Sequence, residues 1–95
     1  MSAVSASEAL MRGIEKGFPL DLMHEFLGSQ QVRLIAFDEE LAVAAALLRP
    51  ATKHVGLSFA DRACIATAVR LGATAVTADR VWAELDLPCK VELIR

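Results

Sequence analysis

The spacing of apolar and polar side chains predicts helices and strands along the chain. Apolar residues recur at helical spacing over residues 5–16, and the tripeptide GFP at 17–19 ends that helix. A second short helix is predicted over 20–27, with Gly28 at its end. The segment QVRLIAF at 31–37 places apolar side chains on both alternating faces, which is typical of a strand covered on both sides in a parallel sheet.

The middle of the chain predicts two further helices. Asp38 is placed to cap an alanine-rich helix, and the segment 49–56 breaks that helix with a proline and a glycine. The next helix is predicted over 58–71, and Gly72 is its C-terminal stop.

The C-terminal third alternates between extended and helical segments. ATAVT at 73–77 is predicted to be a short strand and DRVWAEL at 79–85 a brief helix, while KVELIR at 90–95 alternates like an edge strand. Strands separated by helices imply β-α-β crossovers, and these produce a right-handed parallel sheet with helices on its faces. The sequence therefore predicts an α/β fold with three strands and a single domain over residues 1–95.

The chain is unusually apolar for its length. A chain of 95 residues can build one modest core, yet 55% of its residues are hydrophobic. Small domains have the least interior in which to bury such side chains, so we infer that the chain either self-associates or lacks a covering piece. The formal net charge of −2 gives no overall attraction to nucleic acid, although a local basic groove could exist beside an acidic site.

The cysteines and the apolar runs lead us to expect a soluble cytoplasmic protein. Cys64 and Cys89 lie far apart without a C-x-x-C motif, so we expect two free thiols. The longest apolar run, at 41–48, is far shorter than a bilayer span, and the first residues lack the basic and apolar regions of a secretory leader.

Three carboxylates stand where helices are predicted to begin, and capping can explain each of them. Asp61 follows Ser58 at the spacing of a capping box. Glu8 follows Ser5 at the same spacing. Asp79 precedes its short helix as a single cap, and each such cap is worth about 1 kcal/mol.

The position of Asp61 also allows a second interpretation. On a helical wheel Asp61 shares its face with Cys64 and Ile65, so it borders the stripe that should pack on the sheet. A carboxylate near that stripe costs stability unless something compensates it. A divalent cation would do so, because Mg²⁺ or Mn²⁺ prefers carboxylate oxygens and needs only one or two side chains.

The remaining candidates have weaker functional signals. His24 and His54 have no acid or nucleophile partner at a useful spacing, and we expect both to face solvent. Trp82 is interpreted as a core anchor rather than a platform for stacking bases.

The stretch GLSFADRACIATAVRLGATAVTADRVWAEL resembles the C-terminal half of PIN domains, particularly of the VapC-type toxins from bacterial toxin–antitoxin pairs. The positions that carry the resemblance are Gly56, Leu57, Ser58, Asp61, Gly72, Thr77, Asp79 and Trp82. Upstream, SAVSASEAL resembles the family segment that carries a further acidic residue, here Glu8. The resemblance implies a three-layer α/β/α fold around a parallel sheet.

The resemblance also implies an activity and a set of residues that carry it. Glu8, Asp61 and Asp79 match three of the four acids of the family, which bind Mg²⁺ or Mn²⁺ for the hydrolysis of RNA. Thr77 and Ser58 match supporting positions. It further implies a cognate antitoxin protein and a homodimer as partners.

Two arginines next to the matched acids are candidates for the RNA contact. In the RNA hydrolysis that the resemblance implies, Arg62 or Arg80 would contact phosphate. Both arginines could equally be solvated surface residues.

One family feature has no counterpart in this sequence. PIN domains begin with a central strand that carries an Asp followed by small residues, and this chain starts where that strand should have ended. We therefore expect a truncated PIN-like domain with impaired activity, or a shortened form that compensates by association. The alternative function is a non-catalytic PIN-like module that binds an antitoxin-like helix or a second copy of itself.

Overall fold

The computed structural model describes residues 1–29 and 34–94, and the five helices predicted from the sequence are present in it. The elements are α1 (Ala3–Glu15), α2 (Leu20–Ser29), α3 (Glu39–Leu47), α4 (Arg49–Thr52), a 3₁₀ turn (Lys53–Val55), α5 (Phe59–Leu71), β1 (Ala75–Thr77), α6 (Val81–Glu84) and β2 (Val91–Leu93). The α/β class with a parallel sheet is confirmed.

Helix α1 begins earlier than predicted. The side chain of Ser2 accepts a hydrogen bond from the N–H of Val4 at 3.2 Å, and Ser2 has the extended backbone of a cap residue. The predicted capping box of Ser5 with Glu8 is therefore wrong, because the bridge between Ser2 and Ile35 fixes the start of the helix at Ala3. As a result Glu8 lies within the helix and has no capping role.

The predicted caps of α3 and α5 are present. The Oδ1 atom of Asp38 accepts from the N–H of Leu41 at 3.0 Å and starts α3. Ser58 and Asp61 form the reciprocal capping box of α5, with each side chain accepting from the other residue's backbone N–H. Gly72 ends the same helix with a left-handed backbone at φ 61°.

The sheet is smaller than predicted. Strands β1 and β2 pair in parallel, with Ala75 opposite Val91. Across the residues that the structure describes, they are the two strands of the sheet. The predicted strand at 31–37 falls partly on residues 31–33, which lie outside the described residues, and within the rest of it Ile35 forms an isolated parallel bridge with Ser2.

Helix α5 lies at the centre of the fold and packs against α1, α3 and β1. Its residues Ile65 and Ala68 join one buried cluster, whose other fully buried members are Leu57, Ala75 and Trp82. Its residue Ala66 joins a second buried cluster with Leu41 and Ala45 of α3. Most of the helix is thus covered, and its position fixes where its first turn lies relative to α1 and β1.

The predictions for the histidines, the cysteines and the tryptophan are confirmed. His24 and His54 are exposed, both cysteines are free thiols, and Trp82 is buried with 3% of its surface exposed. None of the helices in residues 1–29 and 34–94 is long and apolar enough to cross a membrane.

Candidate functional site

A cavity of about 590 Å³ lies where α1, the start of α5 and the end of β1 meet. Its walls are formed by Ser5, Glu8, Ala9, Arg12, Ser58, Phe59, Ala60, Asp61, Cys64, Val76, Thr77 and Trp82. Four of the predicted site residues, Glu8, Ser58, Asp61 and Thr77, are among them. Residues from three separate segments of the sequence therefore converge here, and this cavity is called the acidic cavity below.

Helix α1 presents one face to the acidic cavity. Ser5, Glu8, Ala9 and Arg12 are separated by three, four and seven positions, which places them on one side of an α-helix. Glu8 is half-buried, and its carboxylate makes no ion pair or hydrogen bond with any described residue. Its charge is therefore available to a ligand in the cavity.

The carboxylate of Asp61 has a capping role and also lines the cavity. Its Oδ2 atom accepts from the N–H of Ser58 at 3.3 Å, while its own N–H donates to Ser58 Oγ at 3.1 Å. Its other oxygen, Oδ1, accepts no hydrogen bond from the described part of the chain. The two interpretations of Asp61 that the sequence left open are thus compatible with each other.

The turn after β1 holds Thr77 and Asp79 in different settings. Thr77 lines the cavity, and its Oγ1 accepts from the N–H of Asp79 at 3.1 Å. The side chain of Asp79 accepts from the N–H of Val81 at 3.0 Å in the turn before α6. The cap position of α6 is occupied by Arg80, which makes no side-chain capping hydrogen bond, so the predicted cap at Asp79 stands one residue too early. Asp79 is exposed and is absent from the cavity wall, so the structure brings together two of the three predicted acids.

The two arginines that the sequence suggested for RNA contact lie away from the acidic cavity. Arg62 turns toward α3, where its Nη1 donates to the carbonyl of Ala45 at 3.3 Å. Arg80 lines a separate cavity with Leu93 and Ile94. Arg12 lines the acidic cavity instead, and its spacing of four residues from Glu8 was the sequence signal that could have identified it.

Cys64 is a further member of the cavity wall that the sequence analysis did not select. Burial, followed by the nearby charge of Asp61, raises the pKa of the Cys64 thiol above its usual value of 9.0. The thiol therefore stays protonated at neutral pH and is a poor ligand for soft metals, which bind the thiolate.

The donor set of the cavity suits a hard cation held by few protein ligands. Among the described residues, no three His, Cys, Asp or Glu side chains lie close enough together to hold a metal ion. Two carboxylates, Glu8 and Asp61, nevertheless face one cavity that has room for water. Mg²⁺ keeps several waters and takes one or two carboxylates, so Glu8 and Asp61 are the cavity residues that could serve as its protein ligands.

Comparison with known proteins adds one match. The family model described as PIN domain matches residues 2–87, which is most of the chain and includes every residue of the acidic cavity. No curated protein and no solved structure matches the chain.

Proposed function

The chain belongs to the PIN domain family, and from that premise we propose that it is a Mg²⁺-dependent endoribonuclease of the VapC toxin type, acting on cytoplasmic RNA. PIN domains are generally nucleases, which supports an enzyme in the broad sense. The observation that carries the proposal is the convergence of Glu8 and Asp61, from α1 and α5, on one cavity beside Thr77.

Three residues of the cavity wall, Glu8, Asp61 and Thr77, have roles in this proposal. Glu8 and Asp61 would hold Mg²⁺ or Mn²⁺ directly or through water. The ion, when bound, supplies a Lewis acid for the phosphate oxygens and activates water for attack. Thr77 holds the turn that carries Asp79 by accepting its N–H, and Asp79 would act as a ligand through water.

Replacing Asp61 by asparagine tests the proposal. Asparagine keeps an oxygen that can accept from Ser58, so we expect the free energy of unfolding to change by less than about 0.5 kcal/mol. RNA cleavage in Mg²⁺ should fall by roughly 100-fold or more, because losing a direct carboxylate costs more than losing an outer partner of the metal.

The matched control for this variant is Asp86→Asn, since Asp86 is exposed and lies outside the walls of the acidic cavity. Cleavage and thermal unfolding are measured on the same preparations. If Asp61→Asn cleaves RNA as fast as the unchanged chain does, the assignment of the acidic cavity as the active site is wrong.

A second candidate function is a non-catalytic interaction module, and a specific surface favours it. An apolar cavity of about 460 Å³ lies between α1 and α2. It is lined by Met1, Ala9, Leu10, Gly13, Phe18, Leu22 and Met23. Phe18 and Leu22 are each more than half exposed there, and an apolar groove of this kind suits the apolar face of a helix from an antitoxin or from a second copy.

Titration with Mn²⁺ separates the two candidates. An ion that binds the folded chain raises its melting temperature by mass action, with about 2.7 kcal/mol of added stability at 100 times the dissociation constant. We expect this rise in the unchanged chain and its loss in Asp61→Asn. An interaction module without a metal site would melt at the same temperature at every Mn²⁺ concentration.

A further inference from the structure

We propose that Arg12 is the RNA-binding residue of the acidic cavity and that its guanidinium contacts a phosphate of the RNA. The inference rests on the proposed nuclease function. It adds a residue that neither the sequence motif nor the family match assigns, and it gives the acidic cavity a cationic side.

The position of Arg12 follows from the geometry of α1. Arg12 stands one helical turn after Glu8 on the face that lines the acidic cavity, and Cβ atoms four positions apart on a helix are about 6 Å apart. The cavity thus places a cation and two anions around one space.

Arg12 is also free to bind a ligand. Its side chain is exposed and makes no ion pair or hydrogen bond with the residues described by the structure. By contrast, Arg70 is held by Asp38 and Glu40, and Arg62 donates to a backbone carbonyl of α3. Arg62 and Arg70 already have partners within the fold, whereas the guanidinium of Arg12 has none among residues 1–29 and 34–94.

The cavity needs a positively charged side chain if it is to attract RNA. Carboxylates alone repel a polyanion, and the chain has a net charge of −2, so attraction for RNA must come from local cations. Arg12 is the basic residue among the described residues that line this cavity. Arginine presents a planar fork of donors that matches two phosphate oxygens, which lysine cannot do.

The experiment measures equilibrium binding of an end-labelled single-stranded oligouridylate by filter retention, in Ca²⁺ and over a series of salt concentrations. We expect Arg12→Ala to weaken binding roughly tenfold or more, as for one charge-assisted contact. The slope of log K against log salt should become shallower by about 0.7, the value for one phosphate contact in single strands. Arg12→Lys should keep the slope and lose part of the affinity.

Arg49→Ala is the matched control, because Arg49 is exposed and lies outside the walls of the acidic cavity. Circular dichroism melting of each variant shows whether the chain remains folded, and Arg12→Gln provides a second neutral variant. If the unchanged chain binds and cleaves RNA while both neutral variants bind with unchanged affinity and slope, the role of Arg12 is refuted and the nuclease proposal stands. If the unchanged chain binds no RNA, both proposals are refuted.

Discussion

The carboxylate of Asp61 has two oxygens, and the capping box of α5 uses one of them. The N-terminus of a helix also attracts negative charge, so an acidic residue is favourable in the first turn of α5. The second oxygen then faces the acidic cavity without a protein partner among the described residues. A local requirement of the helix thus holds in place a group that the proposed chemistry needs.

Gly72 is a residue whose replacement should lower stability without touching the acidic cavity. Its backbone is left-handed at φ 61°, and a side chain in that conformation costs about 1–2 kcal/mol. We therefore expect Gly72→Ala to lower the free energy of unfolding by about 1 kcal/mol, measured by urea denaturation.

The control for this prediction is the same change at another glycine. Gly28 lies in α2, and an added Cβ would meet no atom within 4 Å, so Gly28→Ala should raise stability by up to about 1 kcal/mol through helix propensity. If the two substitutions changed the free energy of unfolding equally, the left-handed conformation of Gly72 would add no cost for a side chain at that position.

Single residues were predictable from the sequence where the cause is local. The caps at Asp38 and Ser58 depend on a few neighbouring residues, and both were predicted correctly. The cap at Ser5 was predicted wrongly because Ser2, three positions earlier, is fixed by a bridge to a distant residue that the local pattern does not contain. Arg12 was missed because its role depends on what α5 and β1 bring opposite to it.

Among the helices, α3 and α5 are joined by an exposed ion-pair cluster. The guanidinium of Arg70 donates to both carboxylate oxygens of Asp38 at 2.8 Å, and to Glu40 at 3.2 Å. Asp38 also caps α3, so the last turn of α5 is linked to the N-cap residue of the neighbouring helix. Arg70, followed by the N–H of Leu41, lowers the pKa of the Asp38 carboxyl from 3.8 to about 2.

This ion pair predicts a specific dependence of stability on pH. The pKa of Asp38 is lower in the folded chain, so the interaction stabilises the fold fully above about pH 4 and is lost as the pH falls toward 2. Arg70→Met should remove that part of the acid destabilisation, measured as the free energy of unfolding between pH 5 and 2.

Asp38→Asn is the companion variant for the same measurement. Asparagine keeps the cap of α3 but has no carboxyl to titrate. The free energy of unfolding of this variant should therefore fall less between pH 5 and 2 than that of the unchanged chain. If the free energy of unfolding of both variants falls with pH as steeply as that of the unchanged chain down to pH 2, the pKa of Asp38 is not lowered in the folded protein.

At the level of elements, the sequence predicted the helices better than the strands. A helix such as α5 has its period, its capping box and its terminal glycine within one continuous segment. A strand depends on its partner, and the parallel partner of β1 is separated from it by α6. The segment 34–37 has the apolar pattern of an interior strand, yet of its residues Ile35 alone is bridged, because pairing depends on what lies beside it.

For the whole molecule, the excess of apolar residues predicted from composition remains on the surface. Leu47 is 72% exposed, and Ile14, Phe18 and Leu22 are each more than half exposed. Large apolar patches on a small protein favour association with another surface. Composition alone indicated this property, whereas the location of the groove between α1 and α2 required the structure.

The groove leads to a prediction about oligomeric state. We expect light scattering after size exclusion to give a mass that rises with concentration toward twice that of the single chain. Leu22→Glu should keep the chain monomeric, because a charge would be buried at the contact.

Leu47→Glu serves as the control for the groove, since Leu47 is exposed on α3 and lies outside its walls. A monomer at every concentration in the unchanged chain would contradict the predicted homodimer. Dissociation by Leu47→Glu rather than by Leu22→Glu would assign the contact to α3.

Trp82 is buried in the wall of the acidic cavity, and the chain contains one tryptophan and no tyrosine. Its indole emission therefore comes from a single place in the molecule. A ligand that enters beside Glu8 and Asp61 changes the surroundings of that indole, and so does unfolding. The unlabelled protein thus carries its own optical reporter for occupancy of the site, read from the wavelength and intensity of one fluorophore.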